Sequence, residues 1–248
     1  MMWRVIGLES HGAYFNMAAD EILGNEIAAE GAPPTIRFYT WMPSAVSIGH
    51  FQSMPDEVAV DRCKEFGVDC VRRKTGGGAV YHDENGELTY SVIAPEELFP
   101  KNIIESYEII CGWIVHALSA LGIEARFAPI NDIEVGGRKI SGNAQSRSRG
   151  ILLQHGTILY DMNLERMFSV LKISREKISD KLISNARERV TCIREHADIT
   201  RDALYKELVE SFTEGKEYEV GTFSLDELKR IRELERDTYR TDAWNFMR

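Results

Sequence analysis

Two periodicities run through the chain. Residues 35–41 set Ile36, Phe38 and Thr40 against Arg37, Tyr39 and Trp41; this period of two, with its aromatic and β-branched content, predicts a strand. Further strands are predicted over 3–8, over 45–48 before Gly49, over 68–72 and over 87–93, the last with Leu88, Tyr90 and Val92 on one face. The clearest helix covers 102–121, where Ile104, Tyr107, Cys111, Ile114 and Leu118 recur at three- and four-residue steps and Gly122 follows. Asn16 is placed to cap a helix running to about Glu30, stopped by Gly31-Ala32-Pro33-Pro34. Ala59, Cys63 and Phe66 mark a helix over 56–66 that Gly67 closes. Strands return at 132–135, 138–144 and 154–160. From Asn163 the pattern is mostly helical, with a break near 190–193 and final helices over 201–212 and 224–236. No internal repeat and no Pro/Gly/Ser linker interrupts the series, so a single α+β domain of 248 residues is expected.

Composition narrows the partners. The formal net charge of −9 argues against non-specific nucleic-acid binding, which needs a basic surface. The apolar segments are short and broken by charge, and the N-terminal M-M-W-R-V-I-G-L-E-S lacks the charged-then-apolar order of a secretory signal; a cytoplasmic protein with no membrane partner is expected. Cys63, Cys70, Cys111 and Cys192 have no C-x-x-C spacing, so they suggest buried, reduced thiols and not a zinc site or a disulfide framework.

Two stretches carry the candidate chemistry. In V-R-R-K-T-G-G-G-A-V-Y-H-D, residues 71–83, three glycines allow close backbone approach while Arg72, Arg73 and Lys74 bring positive charge, which suits an anion. The spacing fits neither G-x-x-x-x-G-K-[ST] nor G-x-G-x-x-G. In N-D-I-E-V-G-G-R-K-I-S-G-N-A-Q, residues 131–145, Gly136-Gly137 reads as a two-residue hairpin turn. That register pairs Val135 with Arg138, Glu134 with Lys139, Ile133 with Ile140 and Asp132 with Ser141. Asp132, Glu134, Lys139 and Ser141 then share one face. An exposed Glu134–Lys139 ion pair contributing under about 1 kcal/mol is the bland account of that face. Gly142 beside it marks a close approach and favours Lys139 as a fixed cation at a site. His155, in Q-H-G-T, is expected only to line a pocket, and His82 receives the same caution; spacing alone supports no Ser/His/Asp constellation.

These motifs, in this order, together with Q-H-G-T-I-L, R-V-T-C-I-R-E and the final Y-R-T-D-A-W-N-F, resemble the lipoate–protein ligase A family over nearly the whole chain. The resemblance implies a mixed β-sheet flanked by helices, as in biotin and lipoyl protein ligases. It implies ATP-dependent activation of lipoate to lipoyl-AMP, with Mg2+, and transfer to a lysine of a carrier domain of the dehydrogenase E2 or glycine cleavage H type. By motif position Lys139 contacts both the acyl carbonyl and the phosphate. Arg73, Gly78, Ala79, Val80 and Tyr81 hold ATP, and Asp132 takes a magnesium or ribose contact. Gly76, Gly77, Ser141, Gly142 and His155 shape the lipoyl tunnel. The chain ends where two-domain members continue into a small C-terminal domain, so a short form with a separate accessory protein is expected. One alternative is an octanoyl or lipoyl transferase working through a cysteine thioester without ATP. In transferases sharing these motifs that cysteine precedes the lysine strand, and residues 126–132 here contain none; Cys192 is read as structural. A biotin ligase is disfavoured by the lack of a G-R-G-R run. A non-catalytic carrier-binding module is the alternative of another class.

Overall fold

The computed structural model describes residues 1–161, 163–172 and 188–248. An eight-stranded mixed sheet is built from β1 (Met2–His11), β2 (Thr35–Trp41), β6 (Glu87–Pro95), β7 (Ala125–Ala128), β8 (Asp132–Val135), β9 (Arg138–Ser148), β10 (Ile151–Leu159) and β11 (Glu217–Gly221). Its spatial order is β11-β1-β2-β6-β10-β9-β8-β7. A second sheet sets β3 (Ala45–Ile48) between β4 (Asp69–Arg72) and β5 (Val80–His82). The described helices are α1 (Ala13–Ala28), α2 (Met54–Glu57), α3 (Val60–Phe66), α4 (Ile103–Ala120), α5 (Leu164–Val170), α6 (Arg201–Thr213), α7 (Leu225–Leu234) and α8 (Asp242–Asn245), with 3-10 turns at 96–98 and 193–195 and a π turn at 235–239. This is the expected α+β class, a mixed sheet flanked by helices.

The large sheet is covered on both faces. Phe38, Tyr90, Ile110, Cys111, Ile114 and Phe212 pack in one cluster under α4 and α6. Ile6, Phe15, Leu23, Tyr39, Trp41 and Tyr239 pack in another on the α1 side. The alternation of β2 therefore divides its side chains between two cores, and all seven of its residues are buried. Helix α4 has the length and hydropathy of a membrane span, yet Tyr107, Ile110, Cys111, Ile114 and Leu118 spend that apolar face on the sheet. Its start is fixed by Asn102, whose side chain accepts from the backbone of Ile104 and Glu105.

Two expected elements differ and one strand was not expected. Asn16 does not cap α1, which begins three residues earlier; the Asn16 amide is buried and donates to the carbonyls of His11 (3.1 Å) and Thr40 (3.2 Å). The helix expected over 56–66 is two short helices, because Val58 bridges Leu171 and the Ala59 amide donates to the Val170 carbonyl at 2.8 Å. Strand β11 escaped the pattern because it runs parallel to β1 at the sheet edge with no buried face to impose alternation. The helical pattern expected over 173–187 lies outside the described residues.

Candidate active site

The hairpin carrying Lys139 contains a bulge. Glu134 still faces Lys139 and Val135 faces Arg138, but Ile133 pairs with Ser141 and Asp132 with Gly142. The extra residue turns Ser141 toward the core with Ile133 and leaves it fully buried, which removes it from the acyl-contacting set. It also brings Lys139 beside the carboxylate two places away. Lys139 Nζ sits 2.7 Å from Asp132 Oδ1, while Glu134 pairs with Arg126 at 3.2 Å. A Cβ on Gly142 would lie 2.7 Å from Nζ, so a side chain there would push the ammonium from its place beside the strand. From the other side the R-V-T-C segment clamps the lysine backbone: the Lys139 amide donates to the Arg189 carbonyl and the Thr191 amide to the Lys139 carbonyl, both at 2.8 Å. Asp132, expected as a magnesium or ribose contact, thus has its charge answered within the hairpin. Among the described residues no three His, Cys, Asp or Glu side chains group together.

The basic glycine loop is held by its own cations. Arg73 donates through Nη2 to the carbonyls of Gly76 and Gly78, both at 2.8 Å, and through Nη1 to Ser47 O at 3.2 Å and Ser47 Oγ at 3.1 Å. Burial pulls its guanidinium down to about 10, so it remains charged near neutrality. Arg73 therefore shapes the loop, and its terminal nitrogens are committed to the protein and not to a phosphate. Arg72, wholly buried, donates to the carbonyls of His50, Trp244 and Asn245 and so ties the end of the chain to the loop. Lys74 pairs with Glu21 at 3.2 Å. Gly77 takes φ +99° with its would-be Cβ 2.8 Å from Arg73 Nη2, which is why the run is glycine there.

A cavity of about 590 Å³ opens between the two sheets and α5, within the roughly 300–1,000 Å³ usual for small-molecule sites. Of the residues expected at a site, Arg73, Gly77, Gly78, Ala79, Val80, Tyr81, Lys139, Gly142 and His155 line it, whereas Gly76, Asp132 and Ser141 do not. Trp41, Leu159, Leu164 and Phe168 give it apolar walls. A neighbouring cavity of about 710 Å³, lined by Ser44, Phe66, Asn85, Glu165 and Arg166 among others, contains neither Lys139 nor His155.

Two buried histidines organise the walls, each between a hydroxyl and a carboxylate. His155 Nε2 lies 2.7 Å from Thr75 Oγ1 and its Nδ1 3.3 Å from Asp20 Oδ2; Asp20 Oδ1 in turn accepts from Ser91 Oγ (2.7 Å) and Arg37 Nη1 (3.1 Å). His82 Nε2 lies 2.8 Å from Ser47 Oγ and its Nδ1 2.7 Å from Glu87 Oε1. Ser47, Glu87, Asp20 and Thr75 were missed in the sequence. His82 and Glu87 flank a turn, so hairpin register could have joined them, but Ser47 meets them only through sheet pairing at long range.

Burial pushes His155 below the ordinary histidine value despite the opposing pull of Asp20. Burial also resists ionisation of Asp20, but the His155 hydrogen bond and the Arg37 charge prevail and hold its carboxyl below the ordinary value. The unfolded chain then binds more protons than the folded one between the two histidine values. His155 stabilises the fold above about pH 6.5 and loses that contribution as pH falls through the lower folded value. The thermal midpoint should drop between pH 7 and pH 5, and drop less in His155→Gln; equal slopes in calorimetry would contradict this linkage.

Residues 12–213 match the lipoyl protein ligase A/B catalytic domain. The chain belongs to this family. Octanoyltransferase LipM of Staphylococcus epidermidis is 35% identical over 274 residues, spanning 99% of this chain and 98% of that one. Octanoyltransferase LipM of Geobacillus kaustophilus is 36% identical over 278 residues, spanning 100% and 99%. In three dimensions the family member superposes on the bi-partite lipoate protein ligase of Thermoplasma acidophilum with TM-score 0.88 at 30% identity, covering 99% of this chain and 96% of that one. A lipoate-protein ligase A bound with ATP gives 0.87 at 30% identity, covering 99% of each. The fold and family are as expected. The reaction is not: relatives matching the chain end to end at about 35% identity are octanoyltransferases, which overturns the expected ATP-dependent lipoate–protein ligase. The ATP and Mg2+ expected for adenylation belong to that reaction and not to acyl transfer.

Proposed function

We propose that the chain moves an octanoyl group from a thioester donor to the acceptor lysine of a lipoyl carrier domain, without ATP. The observation that carries this reading is one apolar-walled cavity of acyl-binding size with the cation Lys139 set in its wall by Asp132, Gly142 and the 189–191 clamp. A thioester carbonyl is already activated, so adenylation has nothing to add. What remains is to bury the chain, orient the carbonyl and meet the negative charge that grows on its oxygen as the nucleophile adds. The Lys139 ammonium supplies that charge partner. The full-length likeness to octanoyltransferases supports this reading over activation of a free acid.

The thiol chemistry expected of such a transferase finds no support in the placement of the cysteines. None of the four is among the described residues lining the cavity. Cys111 lies in the core under α4, where burial pushes its thiol up to about 12, and burial likewise raises Cys192. Cys63 and Cys70 are free thiols that pack beside the small sheet.

The test is incubation with octanoyl-acyl carrier protein and an apo lipoyl domain of the E2 or H-protein type, with no nucleotide and no accessory protein. An octanoyl mass increment on the acceptor lysine is expected. Failure with both acceptor types would overturn the reading.

A further inference from the structure

Asp132 aims the Lys139 ammonium, yet the hairpin alone holds it weakly: β8 has four residues, Asp132 is the first of them, and the bulge leaves Ile140 without a partner on the facing strand. We infer that Asn143 is a positioning residue for Lys139, acting through Asn131 and Asp132. The inference rests on the transferase reading above. Asn131 and Asn143 exchange three hydrogen bonds just beyond the bulge. The Asn143 backbone amide and its Nδ2 both donate to the Asn131 carbonyl, at 3.1 and 2.9 Å, and Asn131 Nδ2 donates back to the Asn143 carbonyl at 2.5 Å. Asp132, next in sequence, stands where this clamp puts it.

The clamp is anchored in the core of the large sheet. Register sets Asn143, Gly156 and Tyr90 side by side on β9, β10 and β6. The Asn143 amide crosses the space that a Cβ on Gly156 would fill, and that Cβ would also lie 2.8 Å from Tyr90 Cε1. Having crossed it, Asn143 Oδ1 accepts from Tyr90 Oη at 2.8 Å. The neighbours fix which way the amide points. Gln154 Nε2 donates to Tyr90 Oη at 2.8 Å, so the tyrosine proton goes to Asn143 Oδ1 and Nδ2 is left for Asn131. Gln154 Oε1 accepts in turn from Gln145 Nε2 at 2.9 Å, and Gln145 reaches Ser106 Oγ on α4 at 3.1 Å. Asn143, Tyr90 and Gln154 are all buried.

The glycine of Q-H-G-T and the asparagines of N-D-I-E and S-G-N-A-Q thereby share one use. A buried amide is costly in an apolar core unless both of its ends are met. Here both are met, and what they hold is the start of the strand that carries the Lys139 partner. An ammonium that answers a growing oxyanion works only from the right place, and a misplacement of about 1 Å can slow a reaction about 10²-fold. Asn143 thus acts on the rate through the position of another side chain.

Asn143→Leu keeps the outline of the side chain and removes its hydrogen bonds. With octanoyl-acyl carrier protein and an apo lipoyl domain, kcat of the whole protein should fall about 10–10²-fold while KM for the donor stays near wild type. In a Lys139→Met background the same substitution should change kcat little, because its effect passes through the lysine. A crystal structure of Asn143→Leu should show Asp132 Oδ1 out of hydrogen-bond reach of Lys139 Nζ. Asn131→Ala, at a partly exposed residue, removes only the bond to the Asn143 carbonyl. It should give a smaller loss of the same kind, and it carries the test if Asn143→Leu does not fold. Wild-type kcat from either folded variant, or an equal loss with and without Lys139, would overturn the positioning role while leaving octanoyl transfer in place. No transfer by the wild-type protein would overturn the transferase reading. The variant crystals would then judge the clamp by themselves, and an Asp132–Lys139 pair still at 2.7 Å would overturn it.

Discussion

Lys139→Met should leave a folded protein whose octanoyl transfer is slower by about 10²–10³-fold, the usual loss when one preorganised group facing a developing oxyanion is removed. The backbone at this position is held by Arg189 and Thr191 whatever the side chain. Methionine keeps the apolar stem and removes only the ammonium. Asp132, left without its partner, is about one-third exposed, so water can take over its solvation at little cost to the fold. The decisive comparison is the initial rate of acceptor octanoylation beside the thermal midpoint. A midpoint near wild type with the rate collapsed is the expected pair of results. A rate within a few-fold of wild type would remove Lys139 from the chemistry, whereas collapse of both would make it a structural residue.

The largest loss of stability is expected at Arg72, on β4 of the small sheet. Its guanidinium is wholly buried and donates to backbone carbonyls from three places: the segment after β3, Trp244 and Asn245. The Asn245 side chain returns the contact by accepting from the Arg72 amide at 2.8 Å, and Trp244 Nε1 donates to the Arg72 carbonyl at 2.9 Å. Arg72→Met strands several buried carbonyls at once. Each unmet group costs about 1–3 kcal/mol, so a total loss of about 3 kcal/mol or more is expected by urea denaturation. The glycine loop follows directly in sequence, so the variant should also bind and transfer acyl groups poorly under conditions where it remains folded. A loss below about 1 kcal/mol would mean that the end of the chain is held by packing alone.

The sequence made the sheet legible wherever one periodicity governed a segment. Strands β2, β3 and β8 and helix α4 fall where the pattern puts them, because each has a face that must be buried. The misses have physical causes. Asn16 has the chemistry of a helix cap, but Arg37 and two carbonyls recruit it into the interior, so tertiary hydrogen bonding overrides local preference. The hairpin turn at Gly136-Gly137 was readable, yet the bulge beyond it was not, and that single extra residue exchanges Ser141 for Gly142 at the face of the site. The cations of the glycine loop read as anion ligands because composition cannot tell an arginine that binds a ligand from one that binds its own loop. Lys139, Gly142 and His155 line the cavity in the stretches the motifs singled out. The hydrogen-bonded set of Ser47, His82 and Glu87 was not legible, because it is assembled from two sheets. The motifs fix the family and the fold, but ligases and transferases share both, so they leave the reaction undecided.

Donor choice tests the central claim most directly. The same protein and the same apo lipoyl domain are offered octanoyl-acyl carrier protein without nucleotide in one reaction, and free octanoate or lipoate with MgATP in another. Acceptor modification is followed by intact mass. Rapid transfer in the first and none in the second is the result expected of an enzyme that moves an already activated acyl group. Modification only in the second, with release of pyrophosphate, would contradict it.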